Sequence, residues 1–131
     1  KAVKIFRDND CDFTLMHTVS TYPCKEEELY LINIINLREK YKCKVGYSGH
    51  EVSPGPSIIA VSLGAEALER HITLDRSMYG SDQSASLELS GMKNLSESIS
   101  KTLLALGEPS LGKIIDEEIP IAKKLRAHIK E

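Results

Sequence analysis

Three times between residues 13 and 106 a short apolar or β-branched run gives way to a helix-forming segment, and this alternation is the strongest constraint on the fold. "FTLMHTVSTYP" closes on a proline and reads as a strand. "KEEELYLINIINLREKY" follows with acidic residues in its first turn, Leu31, Ile34 and Ile35 at helical spacing, and basic residues at its end, which suits a helix dipole. "CKVGYSGH" is the next strand, "EVSPGP" a loop, and "SIIAVSLG" a short buried helix stopped by Gly64. "AEALERHITLD" reads as the third strand and "RSMYGSDQSASLEL" as a long polar loop. Ser90 is then expected to cap a helix striped by Met92, Leu95, Ile99, Leu103 and Leu106. Such alternation predicts an α/β protein with a parallel sheet and right-handed crossovers. Three strands neither close an eight-stranded barrel nor make a well-covered open sheet, so a piece of a larger domain is expected.

The flanks are less regular. "KAVKIFRDNDCD" looks like the end of an amphipathic helix with Val3, Ile5 and Phe6 on its apolar side. The end, "GEPSLGKIIDEEIPIAKKLRAHIKE", carries prolines and mixed charges without a clear stripe and is expected to be a linker or docking segment over 109–131. Residues 1–108 are assigned to the α/β domain.

Charge and apolar run length limit the function. A net charge of −2 supplies no basic field for a phosphate backbone, which argues against nucleic acid. No apolar run approaches the roughly 18–20 residues that span a bilayer, and no secretory signal opens the chain, so a cytoplasmic location without membrane contact is expected. Cys11, Cys24 and Cys43 are odd in number and lack metal-site spacing, and are read as free thiols.

Chemistry concentrates at the strand ends. Alternation along a strand puts Gly46, Ser48 and His50 on one face, and Glu69, His71 and Thr73 on one face. Neighbouring parallel strands lie roughly 4.8 Å apart, close enough for His50 and His71 to reach one divalent ion and leave positions open for water or substrate. The alternative is that each histidine fills a hydrogen-bonding niche in the core. Glu69 is a candidate to orient a histidine or to pair with a lysine, and Arg70 points the other way and reads as structural. Ser48 could donate to an anion at the strand ends. Ser81, Asp82, Gln83, Ser84 and Ser86 are short polar groups suited to a polyhydroxylated ligand, or simply a solvated loop. Thr18, Ser20 and Tyr22 lie at the same rim, whereas His17 faces away from Ser20 and His128 falls in the charged tail.

"HTVSTYP", "GYSGHE", "LGAEALERHITLD" and "GSDQSASLE", in this order and spacing from about Asp12 to Leu106, resemble the sialic acid synthase (N-acetylneuraminate synthase) family. The resemblance implies a (β/α)8 TIM barrel with this chain covering strands 6 to 8, and a linker toward a C-terminal antifreeze-like domain. It implies condensation of phosphoenolpyruvate with N-acetylmannosamine or a related acylated aminohexose, giving a nonulosonic acid and phosphate. By similarity His50 and His71 hold a manganese or magnesium ion, Ser48 touches the phosphate, and Asp82 binds sugar hydroxyls. Ser20 and Tyr22 fall in a substrate-contacting segment. Many members carry Asn at the position of Ser20, Asp at Gly49, His at Gln83 and Pro at Leu89. The family's glutamate and lysines from earlier strands lie outside this chain, so these residues alone are expected to be inactive, and a homodimer is expected of the full-length protein. The rival readings are a legionaminic or pseudaminic acid synthase, another metal-dependent sugar enzyme on a TIM barrel, and a non-catalytic sugar-binding module.

Overall fold

A computed structural model describes residues 1–108 and 110–127, which leaves His128 outside the described residues. Strands β1 (Thr14–Thr18), β2 (Lys44–Gly49) and β3 (Leu68–Arg70) form one parallel sheet in that order. The register runs from Thr14 opposite Lys44 to Thr18 opposite Ser48, and from Tyr47 opposite Leu68 to Gly49 opposite Arg70. Helices α1 (Ala2–Asp8), α2 (Asn33–Tyr41), α3 (Gly55–Ser62), α4 (Leu89–Leu106) and α5 (Ile119–Arg126) accompany it. Among the described residues no helix is long and apolar enough to cross a membrane.

The alternation of β2 divides its two faces. Val45 and Tyr47 are fully buried and pack with Ile34 of α2 and Ala60 of α3, while Leu15, Leu31, Leu37, Ala65 and Leu68 surround them. Gly46 and Ser48 take the opposite face, away from the helices. A Cβ at position 46 would come within 2.5 Å of the Met16 sulfur and 2.7 Å of the Ala67 carbonyl, so only glycine lets the strands approach there. Helices on one face of a parallel sheet, with the second face carrying Met16, Gly46, Ser48 and Glu69 away from them, are the layering of a barrel wall.

Several local expectations are corrected. The helix expected over 25–41 is interrupted: Glu26–Glu28 form a single 3-10 turn, Tyr30 takes a left-handed φ of 46°, and α2 begins at Asn33. The cause is tertiary. Leu29 is buried, and its carbonyl accepts a hydrogen bond from His17 Nε2 at 2.7 Å, which removes it from any helical ladder. Helix α3 starts at Gly55, inside the expected loop, with Pro56 in its first turn where a missing N–H costs nothing. It stops as expected, Gly64 taking a φ of 89° with Arg38 of α2 donating to its carbonyl.

Glu88, not Ser90, is the N-cap of α4. Leu87 explains the start: it is held extended by a parallel bridge in which its N–H donates to the His71 carbonyl and its carbonyl accepts from Thr73 N–H, both at 2.9 Å. Helix α4 packs on α3 through Leu95, with Met92 and Ile99 half-buried, but Leu103 and Leu106 are exposed, so the stripe is covered only in its first half. The irregular tail also contains structure. Asp116, Glu117 and Glu118 precede α5 and Lys123, Lys124 and Arg126 close it, a charge order that favours the helix dipole. Cys11, Cys24 and Cys43 are unpaired.

Candidate functional site

The site forms where β1, β2 and β3 end. His50 follows the last residue of β2 and His71 the last residue of β3, so the sheet itself delivers the two rings to one rim. Their centroids stand 5.3 Å apart with the planes nearly perpendicular. Tyr22, carried by the segment after β1, covers both, its ring 5.4 Å from that of His50 and 4.8 Å from that of His71. Three aromatic rings from three successive strand ends therefore meet.

Hydrogen bonds settle one tautomer. His50 Nδ1 lies 2.6 Å from the Val19 carbonyl oxygen. A carbonyl only accepts, so Nδ1 carries the proton, and in the neutral ring Nε2 is the nitrogen left to bind an ion. His71 Nδ1 faces Asp82 Oδ2 at 3.6 Å, longer than a hydrogen bond, and both side chains are about half exposed. The Tyr22 hydroxyl donates to the Asp82 carbonyl at 2.8 Å, and Ser86 Oγ donates to the same oxygen at 2.7 Å. These two bonds pin the 82–86 segment over the histidines.

The expected polar cluster is thus only partly aimed at a ligand. Ser86 is buried in the loop, the Gln83 side chain is bonded by the Thr73 hydroxyl, and Ser81 Oγ donates to Asp82 Oδ1 at 2.8 Å. The Ser84 carbonyl is taken by Arg76 Nε at 2.8 Å, leaving the Asp82 carboxylate as the loop's group beside His71. Ser48 is half-buried on β2, in register between Thr18 and Glu69. Ser20 is exposed at the rim and, among the described residues, has no hydrogen-bond partner. Glu69 lies in register with Ser48 on the face of the sheet away from the helices, where it is exposed and makes no ion pair among the described residues. The carboxylate beside a histidine is Asp82.

A buried polar cluster lies directly beneath. Glu51 and Arg70 form an ion pair at 2.9 Å with side chains 1% and 3% exposed. The Tyr47 hydroxyl donates to Glu51 Oε2 at 2.7 Å. Burial first, and then that hydrogen bond to a carboxylate, hold the Tyr47 hydroxyl far above the usual phenol range, so it stays a donor. Arg70 was readable as structural, but Glu51 was missed. The signal available in the sequence was adjacency, since Glu51 follows one histidine and Arg70 precedes the other.

Among the described residues no group of three or more His, Cys, Asp and Glu side chains is placed to hold a metal ion. Two imidazoles 5.3 Å apart, one with its Nε2 lone pair free, do suit a divalent transition ion whose remaining positions stay open.

Residues 1–110 match the model of the NeuB family. The pseudaminic acid synthase of Helicobacter pylori is 37% identical over 78% of this chain, and the N-acetylneuraminate-9-phosphate synthase of Homo sapiens is 41% identical over 76% of it. The chain spans only 30% and 28% of the length of these relatives. A crystal structure of the N-acetylneuraminic acid (sialic acid) synthetase of Leptospira borgpetersenii, in complex with citrate, superposes on 98% of this chain with a TM-score of 0.83 at 32% identity. The match covers 44% of that chain.

Proposed function

The chain belongs to the NeuB family, whose members include synthases of nonulosonic acids, and from that membership we propose that it forms the metal-facing rim of a phosphoenolpyruvate-dependent synthase. The observation that carries this reading is the meeting of His50, His71, Tyr22 and Asp82 at the C-terminal ends of parallel strands, the catalytic end of a (β/α)8 barrel. In the proposed reaction C3 of phosphoenolpyruvate forms a bond to the aldehyde carbon of an acylated aminohexose, water enters at C2, and inorganic phosphate leaves. The product is a nine-carbon 2-keto acid.

His50 and His71 are the residues that would hold a manganese or magnesium ion. When bound, the ion supplies Lewis acidity toward the sugar aldehyde. The chain's own residues prepare the place for it. The Val19 carbonyl fixes the His50 tautomer, and the Tyr22 ring packs edge-on against His50 and tilted over His71, which limits their rotation. Asp82 offers a half-exposed carboxylate to sugar hydroxyls from a loop whose backbone is tied down by Tyr22 and Ser86. Ser48, half-buried on β2, is the candidate donor to phosphate, and Ser20 and Tyr22 complete the substrate-facing rim. The full-length enzyme is proposed to work as a cytoplasmic homodimer.

The test is product analysis. A protein carrying this segment in its complete barrel, given phosphoenolpyruvate, manganese and either N-acetylmannosamine or a 2,4-diacetamido sugar, is expected to form the corresponding nonulosonic acid, detected by mass spectrometry. Formation from a diacetamido sugar alone would assign a legionaminic or pseudaminic acid synthase. Sugar binding without product from any of them would overturn the proposal in favour of a non-catalytic module.

A further inference from the structure

Burial of the Glu51–Arg70 pair is not explained by stability alone. Taking two charges out of water costs several kcal/mol per ion, and well-packed apolar residues of similar volume are often as stable or more so. What distinguishes this pair is its location. Glu51 is bonded through the chain to His50, and Arg70 to His71. The guanidinium donates through Nη1 to Glu51 Oε1 at 2.9 Å, to Ser57 Oγ at 3.0 Å and to the Ser53 carbonyl at 3.1 Å, and through Nη2 to the Glu51 carbonyl. One planar group therefore clamps the end of β3 to the turn that leaves β2. Glu51 is held from its other side by Tyr47, so neither partner can swing without breaking several bonds.

The pair also has a floor. A Cβ at Gly49 would fall 2.8 and 2.9 Å from the two Glu51 carboxylate oxygens and 3.0 Å from Arg70 Cδ. Gly49 lies opposite Arg70 in the register, so the strands close up beneath the ion pair because no side chain intervenes.

We propose that the Glu51–Arg70 pair, seated on Gly49, is a positioning device that sets the separation and orientation of the His50 and His71 imidazoles. It rests on the reading of those histidines as a metal pair, and acts through them rather than on substrate. The proposal predicts that disturbing the pair without touching either histidine changes what the two rings do together.

The test uses the complete barrel with Glu51→Gln, which keeps the shape and removes the charge, and Gly49→Ala, which keeps every charge and crowds the pair. Ile34→Val, a core change remote in sequence from the pair, is the stability control. Two readouts are taken below the unfolding transition: the Mn2+ dissociation constant from free-ion titration, and the imidazole Hε1 resonances of His50 and His71 without metal, assigned by His→Gln variants. Both pair variants are expected to bind Mn2+ about 10–100-fold more weakly and to move both imidazole resonances, while Ile34→Val leaves both at wild-type values. Folded variants with wild-type affinity and unmoved resonances would overturn the proposal. If wild type binds no Mn2+, the metal reading fails by itself, and the resonances decide the positioning claim. If Glu51→Gln does not fold, Gly49→Ala and Tyr47→Phe carry the same readouts.

Discussion

Replacing Arg70 with methionine measures what the buried ion pair costs when it is broken. Methionine fills much of the same volume but removes the bonds to Glu51, Ser53 and Ser57. Among the described residues Glu51, 1% exposed, then keeps only the Tyr47 hydroxyl as a side-chain partner. An uncompensated buried charge of this kind costs about 3–5 kcal/mol. That is at least about a fifth of the roughly 5–15 kcal/mol that stabilises a whole domain. At about 2–4 °C per kcal/mol for a barrel-sized domain, Tm should fall by about 6–20 °C. Neutralising the stranded carboxylate in the Glu51→Gln, Arg70→Met double variant should recover most of the loss, because the desolvation cost disappears with the charge. Thermal unfolding of wild type, both single variants and the double variant closes the cycle. An Arg70→Met loss no larger than that of an exposed pair, about 1 kcal/mol or less, without recovery in the double variant, would refute the reasoning.

The Tyr47 hydroxyl gives a pH prediction. Its proton is held more tightly in the folded state than in the unfolded one, so its contribution is complete below the ordinary phenol value of 10.0 and is lost as pH rises above it. Stability should then fall by about 1.4 kcal/mol per pH unit from this group, a slope that Tyr47→Phe removes in alkaline denaturation. Tyr22→Phe deletes the bond to the Asp82 carbonyl, and at about 0.5–1.5 kcal/mol amide exchange over 82–86 should quicken by about 2–12-fold; unchanged exchange would mean the loop is held otherwise. Ile34→Ala empties a fully buried position in the helix-sheet core and should cost about 2–5 kcal/mol by denaturant unfolding.

What the sequence could convey divides by the range of the interaction. Period-two and helical spacing located β1, β2 and most of the helices, and strand ends bearing His50 and His71 pointed to one rim, because these signals are local. The break before α2 was not readable, since it depends on His17 reaching from β1 to the Leu29 carbonyl. Nor was the N-cap of α4, which follows from Leu87 pairing with the residues after β3. Asp82 was visible only as one of a cluster of short polar residues until the family motif singled it out, and the structure brings it beside His71 by a loop whose path has no periodic signature. The Ala85–Leu87 stretch reads as part of a polar solvated loop but is buried, because the Ser86 hydroxyl and the Ser84 carbonyl are both bonded within that loop. Glu51 was overlooked because a carboxylate in a turn-rich segment normally faces water. Only the parallel register, which sets Gly49 against Arg70, reveals its partner.

The most direct measurement is manganese-dependent phosphate release from phosphoenolpyruvate by the complete barrel, beside a His50→Ala, His71→Ala double variant that remains folded. The account predicts release that requires both the sugar and the ion in wild type and is abolished in the variant. Sugar-dependent release that survives loss of both imidazoles would contradict it.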